Sequence, residues 1–198
     1  MNQWQILRYG DYREMRWKNG AGTTREIVRY PEDGNDFQWR LSMATVSQSG
    51  AFSTYSGYHR LLSVLSGGGM RLHIDDAPPV SLRQFESVAF SGDSQVDSQL
   101  IDGPLLDFNL IYRSEEYEAQ LSWRAGAAEP QTLDCYADVL LIFSAGDRLD
   151  IDLSDSPSLS LGRYDCALLQ NGASFSSFSL YAEGYWAIVE LRSRNKVA

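Results

Sequence analysis

A short pattern recurs in this chain, in the same order, in each half. "VLSGGGMRLHI" at 64–74 aligns with "IFSAGDRLDI" at 142–151 after one gap, and "VSLRQFESVAF" at 80–90 aligns with "LSLGRYDCALL" at 159–169. "FNLIYR" at 108–113 and "YWAIVELR" at 185–192 close the two halves. Hairpins share turn chemistry, so one such match could be coincidence. Matches in one order and at similar offsets point instead to duplication, and a duplicated unit limits the fold to one small design used twice. Within each copy an apolar strand meets a glycine-containing turn, then an alternating strand. A loop with an aromatic and an acid follows, Phe85-Glu86 or Tyr164-Asp165, and then a second apolar strand.

The rest of the chain agrees. Sustained helical periodicity is missing, and short runs of Val, Ile, Leu, Phe, Tyr and Trp are punctuated by Gly, Ser, Asp and Pro, the pattern of an all-β sandwich or barrel. Strands are expected at 23–30, 37–46, 60–65, 70–74, 87–90, 106–113, 118–123, 139–143, 148–153, 166–170, 175–180 and 185–192. Residues 14–17 fit a strand or one helical turn equally well. The repeated unit resembles the cupin double-stranded β-helix, a jelly-roll barrel that holds ligands between its two sheets. The expected fold is therefore an all-β bicupin. Residues 1–115 would form an N-terminal barrel carrying the pocket, and 116–198 a mainly structural C-terminal barrel.

Charge excludes some partners. The 198 residues carry a formal charge of −9, with lysine only at positions 18 and 196. Binding to nucleic acid or to an anionic membrane needs clustered Lys and Arg, so neither is expected. Cys135 and Cys166 form no CxxC pair and read as buried, reduced thiols. The opening Met-Asn-Gln-Trp-Gln has no basic region followed by an apolar run, no run approaches the ~20 residues that span a bilayer, and a cytoplasmic location is expected. The two histidines, His59 and His73, lie outside any HxH or HxxxH arrangement. No metal or other cofactor is expected, and redox oxygenase chemistry falls with the metal.

Period-two alternation sorts the strand residues by face. In "FQWRLSMATV", Phe37, Trp39, Leu41 and Met43 share one face and Gln38, Arg40, Ser42 and Ala44 the other. The first half thus sets polar residues inside apolar strands at Arg25 or Glu26, Arg40, Arg60, and Asp107 with Asn109. Each taken singly fits a solvated sheet face. Taken together they fit a polar lumen. Arginine grips carboxylates through its bidentate fork, an arginine would offset the burial of Asp107, and Asn109 adds neutral donors and an acceptor. The matched strands of the second half, "DVLLIFSAG" and "GYWAIVELR", are plainer and more apolar. That asymmetry favours one functional barrel and one structural barrel. Ahead of the first of these strands, "WKNGAG" at 17–22 contains Asn19-Gly20, the signature of a tight hairpin turn. It lacks the pattern of a phosphate loop. Gly20 and Gly22 would let the chain bend into the strand at 23–27, with Trp17 as a packing anchor.

"WKNGAGTTREI" (17–27), "WRLSMATVSQSGAFSTYSGYHRLLSVLSGGGMRL" (39–72) and "LLDFNLIYR" (105–113) resemble the HutD/Ves family. The resemblance covers most of the first half and thins afterward. It implies a bicupin fold and a non-enzymatic regulatory role in histidine utilisation, with a small anionic ligand such as N-formylglutamate or urocanate. The Ves branch implies a stress or cold response instead. Carried over by motif, the pocket residues would be Asn19, Thr24, Arg25, Glu26, Arg40, Ser42, Arg60, Asp107 and Asn109. Two other readings stay open. One is a metal-independent isomerase or hydrolase using Glu26, Asp107 or His59 as base. The other is an interaction module using aromatic strands such as "YAEGYWAIVEL" (181–191), with homodimerisation through a sheet edge.

Overall fold

The computed structural model describes residues 4–17, 20–33, 36–153 and 156–194, the side chains of 156 and 171–175 excepted. Contacts divide the chain into two units. One is Tyr12–Glu116; the other joins Tyr117 onward to the residues up to Asp11.

Strand β1 (Trp4–Leu7) and a 3-10 turn (Tyr9–Asp11) come first. The unit of Tyr12–Glu116 then contains β2 (Arg13–Arg16), β3 (Gly22–Tyr30), β4 (Trp39–Val46), β5 (Gly50–Ala51), β6 (Tyr58–Gly67), β7 (Met70–Ile74), β8 (Val80–Leu82), β9 (Ser87–Ser91), β10 (Val96–Leu100) and β11 (Leu105–Arg113). Residues 14–17, undecided from the sequence, are mostly strand. A six-stranded sheet runs β2-β3-β4-β11-β6-β9 and a four-stranded sheet runs β5-β10-β7-β8. One apolar core joins them: Leu62, Val64, Phe90 and Leu105 from the first sheet meet Met70, Leu72, Leu82 and Val96 from the second. Two antiparallel sheets facing across one core is the jelly-roll arrangement. The alternation in β4 sets its two faces as expected. Trp39, Leu41 and Met43 are buried on one, while Arg40, Ser42 and Ala44 line a cavity on the other.

The second unit adds β12 (Tyr117–Ala125), β13 (Gln131–Ser144), β14 (Arg148–Leu153), β15 (Ser156–Leu161), β16 (Cys166–Glu183) and β17 (Tyr185–Ser193). Its sheet runs β12-β17-β13-β16-β14-β15, and β1 pairs antiparallel with β16, Trp4 opposite Leu169 through Leu7 opposite Cys166. The runs expected at 166–170 and 175–180 are one continuous strand, β16. The "YAEGYWAIVEL" segment supplies core here rather than an exposed aromatic face. Trp186, Ala187, Val189 and Leu191 are buried, and of its aromatic residues Tyr185 is the exposed one.

The repeated aromatic-acid loop has one backbone form in both units. Phe85 (φ 64°) and Tyr164 (φ 68°) both sit in the left-handed region. Each donates its amide to the preceding repeat strand, Phe85 to Val64 O and Tyr164 to Ser144 O, both at 2.7 Å. The acid that follows turns back on its own loop: Arg83 N donates to Glu86 and Gly162 N to Asp165. Among the described residues no helix is long and apolar enough to cross a membrane.

Candidate ligand cavity

The register of the six-stranded sheet stacks side chains in rows across the strands. Arg29, Arg40, Ile111, Arg60 and Phe90 are successive cross-strand partners. Glu26, Ser42, Asn109 and Leu62 form the next row, and Thr24, Ala44, Asp107 and Val64 the one after. Rows are two residues apart, about 7 Å along the strands. Above this face lies a cavity of about 550 Å³, within the usual span for a small-molecule site. Its far wall is the segment from Gln48 to Tyr55, held by Phe52 N to Val96 O at 2.8 Å and Tyr55 N to Gly92 O at 2.7 Å.

Arg60 is the most enclosed cation. It is 3% exposed, and its guanidinium carbon lies 4.9 Å from the Phe52 ring centroid, 5.1 Å from Phe90 and 5.7 Å from Tyr55. One Nη donates to Ser53 O at 3.2 Å, but its buried Nε finds no partner among the described residues. Burial pulls its pKa down to about 10, with Asp107 opposing, so it stays charged at neutral pH. Arg40 stands one strand further, beyond Ile111. It donates to Tyr55 Oη at 3.1 Å and stacks on Phe37 at 5.0 Å and Tyr55 at 5.4 Å, and its Nε too is buried without a partner. The aromatic rings hold these guanidiniums through their faces and leave in-plane N–H donors unspent.

Asp107 is 1% exposed and accepts Ala44 N at 3.0 Å. Burial pushes its carboxyl up to about 7, with Arg60 and the Ala44 amide pulling the other way. No ion pair joins Asp107 to either arginine among the described residues; it stands two rows from them on the same face of the sheet. Asn109, 7% exposed, has a buried Oδ1 with no hydrogen-bond partner among the described residues.

The cavity lining brings together Thr24, Arg40, Ser42, Arg60, Asp107 and Asn109. Thr24 Oγ1 accepts the Trp17 indole N–H at 2.8 Å, which ties Trp17 to the cavity wall. Gly22 is needed there, because a Cβ would run into the Thr45 carbonyl and come within 2.9 Å of the Trp17 ring. Arg25 is elsewhere, paired with Glu14 of β2 at 3.0 Å. Glu26 is buried opposite Ser42 but does not line the cavity. Asn19 lies outside the described residues. Sequence reasoning missed Phe52, Ser53 and Tyr55, which have no strand periodicity to mark them; the aromatic spacing in "AFSTYSGY" was the available signal. His59 is exposed against Tyr112, and no group of His, Cys, Asp and Glu among the described residues could hold a metal.

The arrangement suits recognition of a small carboxylate by two guanidiniums at one end of a half-polar cavity. The family model described as HutD matches residues 9–187. A Pseudomonas putida protein described as an uncharacterized 21.2 kDa protein in the hutC 3' region is 42% identical over 98% of this chain and 100% of its own length. Protein Ves of Escherichia fergusonii is 37% identical over 58% of this chain and 62% of its own length. Among solved structures, HutD from Pseudomonas fluorescens SBW25, in a formate condition, has a TM-score of 0.85 at 38% identity, covering 98% of this chain and 100% of that one. An oxalate decarboxylase from Lactobacillus farciminis shares the fold at a TM-score of 0.67 and 8% identity, covering 97% of this chain and 86% of that one. The architecture is thus cupin-like.

Proposed function

This chain belongs to the HutD family, and we propose that its unit of Tyr12–Glu116 binds a small carboxylate metabolite as a non-enzymatic regulator of histidine utilisation. N-formylglutamate and urocanate are the candidate ligands. One observation carries the reading: Arg40 and Arg60 both line the cavity, and both keep a buried N–H without a partner among the described residues. A carboxylate satisfies such donors directly, and charge-assisted hydrogen bonds are about twice as strong as neutral ones. A regulator of this kind works by sequestering its ligand, which requires protein at a concentration comparable with that of the ligand.

Calorimetric titration with N-formylglutamate, urocanate, glutamate and formate tests the proposal. At least one should bind tighter than millimolar, which is about 4 kcal/mol, and Arg60→Met should weaken it tenfold or more. Binding weaker than millimolar throughout, or an unaffected Arg60→Met, would end this reading.

A second reading has one observation in its favour. A buried carboxyl raised to about 7 inside a cavity, as at Asp107, is what a general acid or base requires. Turnover of a small acid, abolished in Asp107→Asn while binding persists, would establish an enzyme instead.

A further inference from the structure

We infer that Asp107 and Asn109 form the specificity-determining end of this cavity, and that its ligand is a short acid carrying an N–H donor as well as its carboxylate. The inference rests on the carboxylate reading above. The polar groups on the strand floor of the cavity are segregated along the strands. Arg40 and Arg60 stand in the row of Ile111, Asn109 stands one row on, and Asp107 two rows on, while the third lining arginine, Arg16 of β2, is exposed. With about 7 Å between rows, a molecule long enough to leave the arginine row meets acceptors next.

These acceptors are not provided for by the fold. Asn109 Oδ1 is buried and has no partner among the described residues. Asp107 takes one backbone amide, Ala44 N, a bond that asparagine could accept equally well without a charge to bury. The other charged or titratable groups lining the cavity are Arg60 of β6, which acts on Asp107 most directly, Arg40 of β4, the exposed Arg16 of β2 and Tyr55 of the covering segment, and among the described residues none pairs with Asp107. Keeping an acid there serves no packing purpose. Ser42 and Thr24, in the same two rows, carry hydroxyls, and Thr24 Oγ1 already accepts from Trp17. A carboxylate with a purely apolar tail would press C–H groups against Asn109 and Asp107. A site built to pair with a substrate N–H rejects the analogue that lacks it, because its own buried polar atoms are left unpaired.

The test uses matched acids and the full chain. N-acetylglycine and 4-oxopentanoate differ by N–H against CH2, and urocanate and cinnamate by imidazole against phenyl. Calorimetry on the wild-type protein should find the N–H member of each pair bound at least tenfold tighter, about 1.4 kcal/mol. In Asn109→Leu and Asp107→Asn, each checked for folding by circular dichroism, the ratio should fall toward one. The wild-type comparison stands even if a variant fails to fold. Equal affinities within twofold in the wild type overturn the inference and leave the carboxylate reading intact. A preference that survives in both variants also overturns it. If no member of either pair binds while N-formylglutamate, glutamate or formate does, this inference falls alone; if none of these acids binds, the carboxylate reading falls with it.

Discussion

Gly22 shows how closely the turn and the cavity are joined. Its missing side chain lets the Trp17 ring lie against β3, and the same ring donates to Thr24 on the cavity wall. A methyl group at position 22 would meet the Thr45 carbonyl, which is backbone of the neighbouring strand and cannot swing aside. We expect Gly22→Ala to destabilise the protein by about 1–3 kcal/mol, the usual cost of overpacking. A lower urea midpoint with an unchanged slope would register it. Because Trp17 must shift, carboxylate affinity should fall as well. Full stability in this variant would mean that the tight approach of β3 to β4 and Trp17 is wrong. The arginines differ in kind. Arg60 and Arg40 are held by ring faces rather than by acids, so their charge remains free for a ligand. Arg25, on the same polar strand, is spent on Glu14.

The duplicated loop carries different weight in its two copies. Glu86 is exposed, and among the described residues its carboxylate accepts the Arg83 amide and no other donor. Asp165 is 8% exposed and accepts Gly162 N at 3.0 Å, Tyr9 N at 2.9 Å and the Arg8 guanidinium at 2.6 Å. It therefore ties the chain after β1 to the loop before β16. Arg8 is 49% exposed, so removing it loses an ion pair worth about 1 kcal/mol or less. Removing Asp165 leaves two backbone donors without acceptors, at roughly 1–3 kcal/mol each if they stay dry. Asp165→Ala should accordingly lower the urea-unfolding free energy by at least about 2 kcal/mol, and Arg8→Ala and Glu86→Ala by under about 1 kcal/mol. Equal losses would show that this acid is not an anchor. The loop was readable from sequence because its aromatic-acid pair recurs at the same place in both copies, and the long alternating strands because burial enforces period two. Strands β1, β5, β8, β10 and β15 were not expected. They are short or carry few apolar residues, and their pairing is set by the neighbouring strands rather than by their own pattern. The cavity floor was readable for the same reason as the strands. Its cover, from Gln48 to Tyr55, has no period to read. Alternation puts Arg25 and Glu26 on opposite faces but cannot say which is inner, and the register shift between Glu26 and Val28 removes the phase that β3 would otherwise supply.

Acidity acts on the molecule as one system, and Asp107 gives it a measurable handle. The folded chain holds this carboxyl at about 7 against an ordinary 3.8. Between those values the folded state keeps a proton that the unfolded chain has released. Stability from this group is therefore full below about pH 4 and is lost as pH rises through about 7. The magnitude is up to roughly 4 kcal/mol. The formal charge of −9 pushes the same way, since self-repulsion eases as pH falls. A sloping wild-type curve alone would not separate the two causes. Asp107→Asn does, because it keeps an acceptor for Ala44 N and changes the net charge by only one. Urea-unfolding free energies at pH 5, 6.5 and 8 should therefore show a steeper decline in the wild type than in Asp107→Asn, with the variant the more stable of the two at pH 8. Parallel curves would mean that Asp107 titrates as an ordinary carboxyl and that the cavity is wetter than its burial implies. A wild type that is the less stable partner above neutrality would be retaining an acid that folding alone does not favour, and the benefit of that acid must then lie in what the cavity holds.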